Sequence, residues 1–127
     1  GTIGKITTSG TPGIFITLPE GSIGNGTRFD SKGNMIIADY AKHNIFRVDM
    51  KTKVLSLIVN EPRMTQPNDV AIDRKDRIYA SDPDFKSNTG RIWRVDTDGN
   101  ITLLDSLNGP ANGIEVSPDE KKLYVDA

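Results

Sequence analysis

The chain has no cysteine, one tryptophan and one histidine among its 127 residues. Without cysteine there is no disulfide and no thiolate metal site, although this does not fix the compartment. The lone histidine, His43, lies in the polar stretch Tyr40-Ala41-Lys42-His43-Asn44. A catalytic base needs an orienting partner, and none is evident, so His43 reads as an exposed loop residue. No Gly-x-Ser-x-Gly elbow occurs, which leaves Ser-His-Asp chemistry unsupported. Neither sign of charge dominates: Lys plus Arg number 16 and Asp plus Glu number 17. Nucleic-acid binding wants a clustered basic face, so no nucleic-acid partner is expected. The longest apolar runs, such as Leu57-Ile58-Val59, are far too short to span a bilayer, and no membrane role is expected. No signal-peptide pattern is found, and Gly1 opens inside a strand-like pattern. No window places apolar residues at helical spacing over three turns.

What is present is one phrase used three times. Pro67 to Asp82 reads as turn, strand, tight turn, strand: Val70-Ala71-Ile72, a polar connection from Asp73 to Arg77, then Ile78-Tyr79-Ala80. Asn25 to Asp39 and Asn112 to Asp126 follow the same order. The leading asparagine stands at 25, 68 and 112, and the closing aspartate at 39, 82 and 126. Spacing of this size marks a repeat architecture. A second hairpin follows each phrase, as in Asn44–Asp49 with Val54–Ile58, and Gly90–Asp96 with Ile101–Leu104. The opening residues match the latter, Ile3 to Ile92, Lys5 to Arg94 and Gly10 to Gly99. With strands lettered a to d, the chain reads c-d, a-b-c-d, a-b-c-d, a-b.

Four short antiparallel strands per repeat are the signature of a β-propeller blade. The predicted fold is therefore all-β. It has a half blade at 1–18, blades at 25–59 and 68–104, and a half blade at 112–127. A sandwich does not demand near-identical hairpins at constant spacing, and it ranks behind. Twelve strands make about three blades, half of a six-bladed ring. Two readings stand. The chain is a piece of a longer propeller, or two copies form a homodimer that completes the ring.

In a propeller, strand a lines the central channel. Asn25, Asn68 and Asn112 should then converge on the axis, where amide oxygens can ligate a hard cation such as calcium. Asn-Gly and Asn-Asp are also ordinary turn pairs. Asp82 opens the extended connection Ser81-Asp82-Pro83-Asp84, and loops at a channel mouth are where function accumulates. It stands as a substrate-facing candidate beside its alternative as a turn cap. Trp93 and Phe46 share one place in strand c and read as blade packing. Glu20 reads as a solvated turn carboxylate.

Pro67-Asn68-Asp69-Val70-Ala71-Ile72-Asp73, Tyr79-Ala80-Ser81-Asp82-Pro83 and Ala111-Asn112-Gly113-Ile114 through Leu123-Tyr124-Val125 together resemble the gluconolactonase/senescence-marker-protein-30 family. That family also contains the luciferin-regenerating enzyme. The resemblance covers nearly the whole chain, most closely from Gln66 onward. It implies a six-bladed propeller of which this chain is blades two to four. The complete protein would be a carboxylic ester hydrolase for a small-molecule lactone, with a divalent metal on the axis: calcium, zinc or manganese. By the same resemblance Asn112 holds metal, and Asn68 lies beside metal and substrate. The family's first-blade glutamate and its later aspartate, the general base, have no counterpart here, so no catalytic residue is assigned, and the isolated chain is expected to have a weak or empty metal site and to be inactive. The alternative is a non-catalytic propeller scaffold that binds a ligand or protein on its channel face.

Overall fold

The computed structural model describes residues 1–127. Twelve strands and no helix make up the chain: β1 (Thr2–Ile6), β2 (Pro12–Thr17), β3 (Gly24–Phe29), β4 (Met35–Asp39), β5 (Asn44–Val48), β6 (Leu55–Asn60), β7 (Val70–Ile72), β8 (Ile78–Asp84), β9 (Thr89–Val95), β10 (Ile101–Leu107), β11 (Ile114–Val116) and β12 (Leu123–Val125). Two four-stranded antiparallel sheets, β3-β4-β5-β6 and β7-β8-β9-β10, stand between two-stranded sheets β1-β2 and β11-β12. Strands β3, β7 and β11 neighbour one another across the sheets. They are the inner strands, and β2, β6 and β10 are the outer ones.

The repeat is visible in the irregularities as well as in the strands. Each third-to-fourth strand pair is interrupted by a register shift at the same place: Ile3/Gly4, Ile45/Phe46, and Leu103/Asp105 opposite Ile92 and Trp93. A bulge adds local twist, so three at one place tilt all three outer edges alike. The first hairpin of each unit turns through a left-handed residue at Gly33, Asp76 and Glu120.

Apolar alternation puts one face of each sheet against the next. Ile36, Ala38, Ile45 and Val59 of one blade meet Val70, Ile78, Ala80, Trp93 and Val95 of the following blade. Leu18, Ile37, Phe46 and Val48 form the junction before it, and Ala71, Ile92, Ala111 and Ile114 the junction after it. Trp93 is 1% exposed at the middle junction. The guanidinium carbons of Arg63 and Arg91 lie 5.1 and 5.5 Å from its ring.

Three sequence expectations change. Asp126 does not share the place of Asp39 and Asp82. The Ser117 N–H bonds Lys122 O, whereas Asp73 N–H bonds Arg77 O, so the last hairpin turn holds one extra residue. Asp126 therefore makes the backbone bonds that Ser81 makes one blade earlier, and Ala127 falls opposite Asp82's place. The connection after Asp82 is shorter than expected, because Pro83 pairs with Gly90 and Asp84 with Thr89 as extended strand. His43 is half-buried, and its Nδ1 is sealed from solvent with no hydrogen-bond partner.

Trp93→Ala removes the largest side chain of the middle junction and should destabilise the chain by about 3–5 kcal/mol. Chemical denaturation of both proteins measures it. A loss below about 1 kcal/mol would contradict this packing.

Candidate functional site: the inner-strand threshold

Two buried carboxylates shape the path into the inner strands. Asp39 ends β4 and is fully buried. Its Oδ1 accepts the N–H of Ile23 at 3.0 Å, and its Oδ2 accepts Asn44 Nδ2 at 2.8 Å. Asp82 repeats this in β8. Its Oδ1 accepts the N–H groups of Thr65 and Gln66, each at 2.7 Å. Its Oδ2 accepts Trp93 Nε1 at 3.0 Å and faces Arg91 Nη2 at 3.2 Å. Ile23 and Gln66 each stand two residues before the asparagine that leads the inner strand of the same blade. Burial pushes the Asp39 carboxyl up, but hydrogen bonds from Ser22, Ile23, Asn44 and Lys42 outweigh it and hold the group below the usual carboxylate range.

The asparagines follow directly. Asn25 lies within β3, at the register shift between Gly24 and Thr27, and is exposed. Asn68 is half-buried, and Asn112 is exposed. Their main chains are tied across blades. The Gly26 N–H donates to Asn68 O at 2.7 Å, and Asn68 N–H donates to Ser81 O at 2.9 Å. Ser81 Oγ accepts the Asp69 N–H at 3.0 Å and donates to Asn112 O. Gly26 is required by proximity. A Cβ there would lie 2.5 Å from Asp69 Oδ1 and 2.8 Å from Asn68 O. With their backbones held this way, the three asparagines keep their side-chain amides for something else.

Beside them runs a charged group that the sequence did not reveal. Asp69 Oδ2 accepts the Ile114 N–H at 3.2 Å and lies 3.7 Å from Arg28 Nη2. The same nitrogen lies 3.9 Å from Glu115 Oε2. Arg28, Asp69 and Glu115 thus span three successive inner strands. The Arg28 side chain is 40% exposed, so these long contacts contribute little stability and leave the guanidinium able to take another anion. The signal in the sequence was Asp69 itself, a carboxylate where the other two repeats carry Gly26 and Gly113.

The sequence-expected residues separate into two kinds. Asn68 and Asn112 reach the threshold with amides unspent. Asp82 has no exposed side-chain surface, and its oxygens are taken by backbone, indole and guanidinium. Asp82 nevertheless borders, with Thr65, Asp84, Thr89, Arg91, Ser106 and Asn108, a polar hollow of about 460 Å³. Glu20 is exposed in its turn, as expected. No three His, Asp or Glu side chains gather into a metal-binding group. At Asn112 the chain offers a neutral oxygen, and the Asp69 carboxylate across from it already accepts the Ile114 N–H. These residues alone do not fit a divalent cation, which asks for several oxygens with carboxylate charge among them.

Residues 2–127 match the SMP-30/Gluconolactonase/LRE-like region. The chain belongs to this family. It is 29% identical over 115 residues to a gluconolactonase of Zymomonas mobilis, and 31% identical over 77 residues to the pentonolactonase XacC of Haloferax volcanii. Those matches take in 80% and 61% of this chain but 32% and 26% of the relatives. Superposition on a gluconolactonase from Xanthomonas campestris gives a TM-score of 0.84 at 22% identity, covering 98% of this chain and 46% of that one. The structural neighbours are β-propellers, and this family member spans under half of such a ring.

Two outcomes test the threshold. Gly26→Ala should lower the melting temperature by several degrees, because overpacking typically costs about 1–3 kcal/mol. An unchanged melting temperature would contradict the close approach. For Asp39, a carboxyl held low in the folded chain adds stability above its unfolded value of about 3.9 and loses it as pH falls through the folded value. Asp39→Asn should therefore be less stable at pH 7 and show a flatter loss below about pH 4 in urea titrations. Parallel acid limbs for the two proteins would refute this.

Proposed function

We propose that this chain is part of a lactone hydrolase, and that its inner-strand threshold binds and orients a polyhydroxylated sugar lactone. The observation that carries the reading is the family match over residues 2–127, joined to amides left unspent at Asn68 and Asn112. An amide both donates and accepts, which suits the ring hydroxyls and carbonyl of a sugar lactone. Hydrolysis converts the neutral ring ester into a hydroxy acid. Arg28, loosely held by Asp69 and Glu115, is placed to attract that new carboxylate.

In this reading Asn68 contacts substrate. Asp82 serves the substrate site by fixing Thr65 and Gln66, the residues that lead into Asn68. Asn112 is the one metal ligand that the family resemblance places on this chain. The residues of this chain do not by themselves hold that metal.

The test is alkali uptake during hydrolysis of glucono-lactone by the complete ring that contains this chain, with calcium, zinc, manganese or a chelator. Turnover above the uncatalysed rate is expected there, and none from residues 1–127 alone, which hold neither the metal nor a general base. Asn68→Ala should lower kcat/KM by about 10–100-fold, the loss of about 1–3 kcal/mol of hydrogen bonding. Asn25→Ala should change it little. Turnover absent under every ion would favour the scaffold reading, in which the same face binds a ligand without reaction.

A further inference from the structure

The two complete blades differ at one cross-strand row. In the first, Asp39 stands opposite Asn44, and Asn44 opposite Asn60. That row closes on itself. Asn44 Nδ2 donates to Asp39 Oδ2 at 2.8 Å, and Asn60 Nδ2 donates to Asn44 Oδ1 at 2.8 Å. In the second blade Asp82 stands opposite Arg91, and Arg91 opposite Ser106. This row stays open. Arg91 Nη2 donates to Thr65 Oγ1 at 2.7 Å and faces Asp82 Oδ2 at 3.2 Å. Arg91 Nε and Nη1 and the Ser106 Oγ have no hydrogen-bond partner in the chain. The Arg91 side chain is 32% exposed, so those nitrogens are within reach of a ligand.

The open row also has space in front of it. In the first blade the pairing of β4 with β5 stops at Asp39 and Asn44. In the second, β8 and β9 continue beyond the row, Pro83 with Gly90 and Asp84 with Thr89. Side chains alternate along a strand, so Asp82, Asp84, Thr89, Arg91 and Ser106 share one face of the sheet. It is the face on which Trp93 packs against the preceding complete blade. These five residues, with Thr65 and Asn108, border the polar hollow of about 460 Å³. All of its lining lies between Thr65 and Asn108, on one complete blade and the segments that enter and leave it. No residue of the inner strands β3, β7 or β11 lines it.

We propose that this hollow binds a neutral sugar of one or two rings, at a site separate from the inner-strand threshold. The site needs the blade and not the axis, so it is independent of lactone hydrolysis. Its volume falls within the range of about 300–1,000 Å³ usual for small-molecule sites. Most such sites are largely apolar, but here Leu107 is the one apolar side chain in the lining. A greasy ligand therefore finds little to bury against, and a ligand covered in hydroxyl groups finds many partners.

The charges of the lining select neutrality. Arg91 offsets Asp82, which leaves the Asp84 carboxylate. Hydrogen bonds from Ser87 and Lys86 hold the Asp84 carboxyl below the usual carboxylate range, so it is ionised at neutral pH. A carboxylate or phosphate on the ligand would meet Asp84, and an ammonium group would meet the Arg91 guanidinium. A hydroxyl group suits both, because it donates as well as accepts. It can donate to Asp84 and accept from Arg91 Nε or Nη1. The Thr89 and Ser106 hydroxyls and the Asn108 amide serve in either direction. The first blade offers no such set, since its asparagines are spent on each other.

Amide NMR on the isotope-labelled complete ring that contains this chain tests the site, with glucose and with maltose as probes. Saturable shifts are expected at Thr89, Ser106 and Asn108 and at Arg91 Nε. Ser106→Ala and Asn108→Ala should each weaken binding by about tenfold, the worth of one or two hydrogen bonds. Unchanged signals at Ile45, Val70 and Trp93 in both variants are the control for folding. Absence of saturable shifts with both sugars would overturn the proposal. So would shifts confined to Asn68 and Asn112, or sugar affinity unchanged in both variants. Saturation by sodium phosphate or calcium chloride in place of the sugars would overturn it as well. Neither probe is a lactone, so the outcome is separable from turnover. Sugar shifts in the hollow alongside absent lactone turnover would leave the proposal standing and count only against the hydrolase reading.

Discussion

A buried carboxylate in the second strand of each complete blade organises the path into the first strand. Asp39 and Asp82 are both inside the protein, where an ionised group without hydrogen bonds would be strongly unfavourable. Each is satisfied by backbone N–H groups from the segment that leads into its own blade's inner strand. The segment is thereby fixed at the residue two before the asparagine. The last half blade shows the coupling by its absence. Ala127 stands where the carboxylate would be, and Pro110 stands where the donating residue would be. Carboxylate and donor are lost together.

The candidate site is a consequence of this bonding rather than an addition to it. Backbone bonds between Gly26 and Asn68, and through Ser81 to Asn112, hold neighbouring thresholds at fixed distance. They consume the main-chain groups and leave the asparagine amides and the Arg28 guanidinium for a ligand. Fold and function therefore use different atoms of the same residues. This division explains how one blade plan can carry unlike chemistries in related propellers.

The strands and their order were legible in the sequence, because alternation and a repeated phrase report strand pairing directly. One reading failed at the level of a single residue. Asp126 looked periodic, but a turn can absorb one residue without disturbing its strands, and Ser117–Lys122 does so. Asp82 stood as a substrate-facing candidate beside a turn cap, and its oxygens are taken by Thr65, Gln66, Trp93 and Arg91. A carboxylate that accepts backbone bonds and one that binds substrate have the same letter, and only burial separates them. Arg28, Asp69 and Glu115 were not legible because their contacts run between repeats, where no local pattern records them.

Amide hydrogen exchange on Asp82→Asn tests the organising role of the carboxylate most directly. Asparagine keeps the size of the side chain but weakens its acceptance of the Thr65 and Gln66 N–H groups. The account predicts that those two amides lose protection by about tenfold or more, corresponding to about 1.4 kcal/mol, while Ile36, Ile45 and Val48 in the neighbouring blade stay protected. Unchanged protection at Thr65 and Gln66 would show that the lead-in segment is held by something other than the buried carboxylate.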